Sequence, residues 1–311
     1  MNAKRARQAT PAPGAPAAGP AAKGGKSQSW ALGLRVASGV GFVPLLMLLA
    51  KVGGLAFLAF VVVQTLLGLV EFFRMMKAKG HRPQVLVGHL AALAVLGMAY
   101  RPHTPHAAFL ATAALLLMLA SALRHPQRPR IVESLSVTVF GVLYVGWLSS
   151  HFVLLRELPW RAGLDYADGA AIVLYAFFVT WSCDSGAYLI GRSFGRTRPW
   201  GAISPRKSLE GSAGGLLFAV AGAFIGSYWF MHGSAGLPWL RPLDALAIGL
   251  LVGICGQVGD LAESLLKRDA DSGDSSDLIP GHGGVLDRFD SLYFGAPIVY
   301  YYLKIVVFQV P

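Results

Sequence analysis

The chain has 311 residues, of which 54% are hydrophobic and 14% charged, where a soluble domain carries roughly 25% charged residues. That shortage excludes a water-facing globular surface. The net charge of +11 would suit a nucleic-acid partner, but its clustering reads as membrane topology, so no nucleic acid is expected.

Residues 1–29 are rich in Ala, Pro and Gly and hold five basic and no acidic residues. Such a segment buries too little apolar surface to order itself and is read as a disordered basic tail. No apolar stretch precedes the first spanning helix, which argues against a cleaved signal peptide. Residues 30–311 form the membrane domain. Apolar runs suited to a hydrocarbon core of about 30 Å recur near 32–50, 53–73, 84–100, 107–123, 134–155, 170–190, 211–231, 243–266 and 290–309. In lipid the backbone must satisfy its own hydrogen bonds, and no alternating strands are present to build a barrel. The predicted fold class is therefore all-α, a polytopic integral membrane protein with about nine transmembrane helices. With the N-terminus cytosolic, the segments on that side hold 20 Lys and Arg and the opposite loops only five, the bias that sets orientation. Arg156 is counted among those five. Cys183 and Cys255 lie inside apolar runs and are read as packing residues, not as a disulfide.

Polar residues gather in three stretches. The first runs from Cys183-Asp184-Ser185-Gly186-Ala187-Tyr188 through Gly191-Arg192 to Ile203-Ser204-Pro205-Arg206-Lys207-Ser208-Leu209-Glu210-Gly211. Asp184 sits well inside an apolar run, where a carboxylate costs about 2.5–3.5 kcal/mol without a partner. It serves either a site or a helix-packing ion pair, and the basic loop either a site or lipid headgroups. The second is Gln257-Val258-Gly259-Asp260-Leu261-Ala262-Glu263-Ser264-Leu265-Leu266-Lys267-Arg268. Gln257, Asp260, Ser264 and Lys267 recur at helical spacing and share one face. That face aims either into a polar, metal-containing site or simply out of the membrane. The third is Ile279-Pro280-Gly281-His282-Gly283-Gly284-Val285-Leu286-Asp287-Arg288-Phe289-Asp290-Ser291. Glycines around a histidine free backbone N–H groups for an anion, Asp287 and Asp290 open a helix, and Arg288 offers a fork for phosphate. Mg²⁺ takes one or two carboxylates with substrate phosphates and water, so the pattern reads as a metal–phosphate site.

These stretches resemble the phosphatidate cytidylyltransferases, also called CDP-diacylglycerol synthases. That family's signature reads Ser-x-x-Lys-Arg, four residues, Lys-Asp, a short spacer, then Pro-Gly-His-Gly-Gly-x-x-Asp-Arg-x-Asp-Ser. It is matched here by Ser264, Lys267, Arg268, Asp274, Pro280 to Gly284, Asp287, Arg288, Asp290 and Ser291. The preceding Gln-x-Gly-Asp-x-x-Glu is met by Gln257, Gly259, Asp260 and Glu263. Two earlier elements are met by Asp184 to Tyr188 and by Ser204 to Gly211. The resemblance is close over 180–291.

The resemblance implies transfer of a cytidylyl group from CTP to phosphatidate or a similar lipid phosphate, giving CDP-diacylglycerol and pyrophosphate. It implies Mg²⁺ as cofactor, held by Asp260 and Asp287. Asp260, Lys267, Asp287 and Arg288 are expected to be catalytic. Substrate binding is expected of Asp184, Ser204, Lys207, Gln257, Ser264, Arg268, Asp274, His282, Gly283, Gly284 and Asp290. The expected location is a bacterial inner membrane, with cytosolic active loops, surrounding membrane lipids and room for a homodimer. The sequence departs from the signature at Gly273, where the family has lysine, and at Ser276, where it has glycine. The departures leave open a CTP-using enzyme for another lipid, or a slower paralogue. A transport or non-catalytic protein with acidic helices is the reading from a different class.

Overall fold

The computed structural model describes residues 41–101, 107–123, 130–232, 237, 240–272 and 283–310. The basic tail, Asp274 and His282 lie outside them. Among the described residues the regular elements are all helices, with no β-strand.

Helix α1 runs over Gly41–Val52 and turns at Gly53 into α2, Gly54–Ala78. Gly53 has φ +65, a left-handed backbone that glycine adopts at little cost. Helices α3, Val85–Tyr100, and α4, Ala107–Leu123, follow. Helix α5, Ile131–Arg161, is interrupted by one wide π-helical turn, Val142–Trp147. Helix α6 is Gly169–Phe194, α7 is Leu209–Met231, α8 is Pro242–Asp269 and α9 is Leu286–Tyr302. Each stretch expected to span overlaps one of these helices, with residues 32–40 of the first lying outside the described residues.

Five of them, α2, α5, α6, α7 and α8, are long and apolar enough to cross a membrane, with mean hydropathy between 1.3 and 2.2. Many of their outward residues are large and apolar, among them Leu55, Leu143, Leu217, Phe224, Leu243 and Ile254. In water such a surface would be a liability; in lipid it is the ground state. The protein is an integral membrane protein.

Inside, an aromatic cluster joins three helices. Phe152 of α5 lies 5.4 Å from Phe177 of α6 and 5.8 Å from Phe289 of α9, centroid to centroid. The last four helices pack through small residues, which substitute close backbone approach for the missing hydrophobic drive in lipid. A Cβ at Gly211 of α7 would stand 2.9 Å from the Ala187 carbonyl of α6. One at Gly249 of α8 would stand 2.6 Å from Val220 Cα of α7, and one at Gly259 would stand 2.7 Å from the Asp290 carbonyl of α9.

Arg156 differs from its sequence reading as a loop residue. Helix α5 continues past the expected end at 155, and Arg156 is 1% exposed. Its Nε donates to Ala50 O at 2.7 Å and its Nη1 to Tyr166 O at 2.7 Å, while the guanidinium lies 4.1 Å from the Tyr166 ring centroid. Carbonyls released where α1 ends and α6 is about to start accept these donors. A charge count along a chain cannot see such a partner.

Candidate active site

The ends of four successive helices meet at the pole opposite Arg156. The C-terminal turns of α6 and α8 and the first turns of α7 and α9 surround a cavity of about 1110 Å³. The loop 195–208 covers one side and is anchored at several points. Glu210, just ahead of the apolar run of α7, accepts from the amides of Arg196 at 3.0 Å and Thr197 at 3.1 Å. Arg198 donates to Pro205 O at 2.9 Å and Arg268 donates to Ile203 O at 3.1 Å. Ser208 caps α7 by accepting from the Gly211 amide at 3.1 Å. The loop therefore presents Ser204, Arg206 and Lys207 to the cavity as a fixed group.

Charge in the cavity is paired across helices. Lys207 Nζ lies 2.8 Å from Asp260 Oδ2. Lys267 Nζ lies 2.7 Å from Asp287 Oδ1 of α9 and 2.6 Å from Oε2 of Glu263, which is fully buried one turn earlier on α8. Asp184 accepts from Ser291 Oγ at 3.1 Å, joining α6 to α9. Asp290 Oδ1 accepts from the Ser291 amide at 2.6 Å. The lining holds four acids, Asp184, Asp260, Asp287 and Asp290, against six bases. That excess suits a polyanion, and Arg and Lys bind phosphate as fork and point charge respectively.

Of the residues expected from sequence, Asp184, Ser204, Lys207, Gln257 and Asp260 line the cavity. So do Lys267, Gly283, Asp287, Arg288 and Asp290. Gln257 does so at the inner wall, with its amide given to Ser212 O at 3.0 Å and Gly253 O at 2.9 Å. Ser264 is buried within the same helical face without reaching the cavity, and Arg268 sits behind the basic loop. The Gly284 amide donates to Asp287 Oδ2 at 2.8 Å. Three further cations line the cavity: Arg192 and Arg206 stand in the first polar stretch, which the sequence left open between a site and lipid headgroups, and Arg198 between them was not singled out. Glu71 of α2 was missed altogether, although a carboxyl in an apolar run is the signal that singled out Asp184.

Hard oxygen donors in a polar cavity fit a divalent cation such as Mg²⁺. Among the described residues no three acidic, His or Cys side chains are grouped to hold an ion by themselves. A cation there would complete its shell with substrate phosphate and water, as Mg²⁺ commonly does.

A polar, cation-rich cavity at one pole of an apolar helical bundle defines an integral membrane protein with a site for phosphate-bearing ligands. The cytidylyltransferase family matches residues 33–306, and the chain belongs to that family. It is 36% identical over 297 residues to a phosphatidate cytidylyltransferase of Synechocystis sp., covering 88% of this chain and 97% of that protein. It is 38% identical over 173 residues to a phosphatidate cytidylyltransferase of Bacillus subtilis, covering 56% of this chain and 60% of that one. A phosphatidate cytidylyltransferase of Staphylococcus haemolyticus is 36% identical over 170 residues, with 53% of this chain and 63% of that one covered.

Proposed function

We propose that the protein transfers the cytidylyl group of CTP to phosphatidate, releasing pyrophosphate and forming CDP-diacylglycerol. The observation that carries this reading is the shared cavity of Asp260 and Asp287, each carboxylate facing a lysine from another segment.

A phosphate monoester oxygen of the lipid attacks the α-phosphorus of CTP. The bond from that phosphorus to the β-phosphate oxygen breaks, and pyrophosphate leaves with the electron pair. The attacking oxygen is already anionic near neutral pH, since a phosphomonoester's second ionisation falls near pH 6, so no general base is required. Neither partner needs a covalent link to the enzyme. Catalysis then consists of bringing two anions together and stabilising the charge that builds on the leaving group.

Lys207, Lys267 and Arg288 are assigned to the triphosphate and the leaving pyrophosphate. Ser204, on the anchored loop, is assigned a hydrogen bond to phosphate. Asp260 and Asp287 would hold Mg²⁺, which supplies positive charge to the triphosphate when bound. Asp184 and Asp290, being acids, would serve phosphate only through such a cation. With Asp260 holding a cation, Lys207 would be free to face phosphate, while Lys267 would keep its pairing with buried Glu263. His282 and Asp274 keep their proposed substrate roles on the sequence alone.

The cavity pole is assigned to the cytosol of a bacterial inner membrane, with nine crossings and a cytosolic N-terminus. The supporting fact is the excess of Lys and Arg on that side. The test of the reading is CTP-dependent pyrophosphate release from membranes carrying the protein, with a panel of lipid phosphates. Release with phosphatidate supports it; release with another lipid phosphate alone moves the substrate, and release with none removes the enzyme reading.

A further inference from the structure

Glu71 lies in the apolar run of α2, is 1% exposed, and belongs to none of the stretches that line the cavity. Its Oε1 accepts from the Val285 amide at 2.9 Å and its Oε2 from the Leu286 amide at 2.8 Å. The amide before them, that of Gly284, goes to Asp287. Three successive amides at the start of α9 are thus closed by carboxyl groups, two of them by a side chain from the N-terminal half of the chain. A helix N-terminus exposes unsatisfied N–H groups and partial positive charge. Here both are taken up inside the protein, so these three amides are not available to a nucleotide phosphate.

The same face of α2 grips α9 again further along. Gln64 Nε2 donates to the Tyr293 hydroxyl at 2.6 Å, and a Cβ at Gly68 would stand 3.1 Å from that hydroxyl. Gln64, Gly68 and Glu71 are spaced four and then three residues apart, which places them on one side of a helix. Asp287, Arg288, Asp290 and Ser291 follow directly on the amides that Glu71 holds, and all four line the cavity. One residue of helix is about 1.5 Å of rise and about 100° of rotation. A slip of α9 by a single residue would therefore turn each of them away.

We propose that Glu71 is a positioning residue for the transfer reaction. By closing the start of α9 through Val285 and Leu286, it sets the height and rotation at which Asp287, Arg288 and Asp290 enter the cavity. The proposal rests on the functional reading above.

The test uses the full-length protein in lipid nanodiscs, wild type beside Glu71→Ala and Glu71→Gln. Thermal midpoints are measured, and pyrophosphate release is followed with CTP and phosphatidate at a temperature where every variant is folded. Misplacement by about 1 Å can lower turnover about 100-fold. Glu71→Ala should lower kcat by that order, with KM for CTP changed less than about threefold. Glu71→Gln, which keeps one accepting oxygen, should fall between Ala and wild type. Combining Glu71→Ala with Asp287→Asn should cost much less than the product of the two single losses, because both act through the first turn of α9. A kcat within about twofold of wild type in folded Glu71→Ala would overturn the proposal, whatever its thermal midpoint, and so would fully multiplicative losses. If the Ala variant does not fold, Glu71→Gln decides alone: wild-type kcat overturns the proposal and a loss beyond about fivefold supports it. Wild-type protein that releases no pyrophosphate would instead remove the functional reading, before any variant is compared.

Discussion

Lys207, in the loop before α7, holds its ammonium 2.8 Å from the carboxylate of Asp260, 53 residues later on α8. The pair bridges two separate sequence motifs, and neither partner is deeply buried, with side chains 24% and 36% exposed. Such a pair contributes little to stability in its own right. In the proposed mechanism the nucleotide's phosphates take the place of Asp260 beside Lys207.

Asp260→Asn keeps the size of the side chain and removes its charge. In the proposed mechanism Asp260 serves the reacting phosphates through a bound cation, and loss of one preorganised electrostatic contact typically lowers turnover about 10²–10³-fold. The variant should remain folded and elute like wild type while pyrophosphate release falls by at least that much. Near-normal release would take Asp260 out of the site.

Lys267 neutralises a fully buried glutamate as well as Asp287. Removing one partner of a buried ion pair typically costs about 3–5 kcal/mol, because the other charge is stranded. Lys267→Met should therefore lower both kcat and the denaturation midpoint. Lys267→Met combined with Glu263→Leu should regain much of the midpoint and none of the activity, which separates the two roles.

At the far pole, Arg156→Ala would leave the carbonyl of Ala50 without its Arg156 donor, while that of Tyr166 keeps the Gly169 amide. Each buried unsatisfied group costs about 1–3 kcal/mol. Thermal stability should drop clearly, with kcat per folded molecule unchanged. Gly53→Ala should act alike, since any Cβ at that position collides with the Arg156 guanidinium.

Gly273, outside the described residues, stands where the resembling family has a lysine. Another cation beside the phosphates should help a polyanion bind. Gly273→Lys should lower KM for CTP or raise kcat, read by the same pyrophosphate assay; no change would mean the position does not face substrate.

The apolar runs and the three polar stretches were legible in the sequence because each is local. Run length gives the helices, and helical spacing puts Asp260 and Lys267 on one face. Glu71 and Arg156 were not legible. A buried carboxyl whose acceptors serve amides 214 and 215 positions away leaves no local pattern beyond its place in an apolar run. Arg156 reads as loop charge because hydropathy falls near it; only the packing of α1 against α5 and α6 shows that its charge is spent on backbone carbonyls. Ser264 shows the reverse limit. It shares the helical face of Asp260 and Lys267, yet that face is wider than the cavity it meets.

The most direct measurement is pyrophosphate release by purified wild-type protein given CTP and phosphatidate, with and without a chelator. Release should require both substrates, stop when divalent cation is removed and return when Mg²⁺ is restored. CDP-diacylglycerol should form in equal amount. Full release in the presence of the chelator would contradict the proposed roles of Asp260 and Asp287, and no release in any condition would contradict cytidylyl transfer itself.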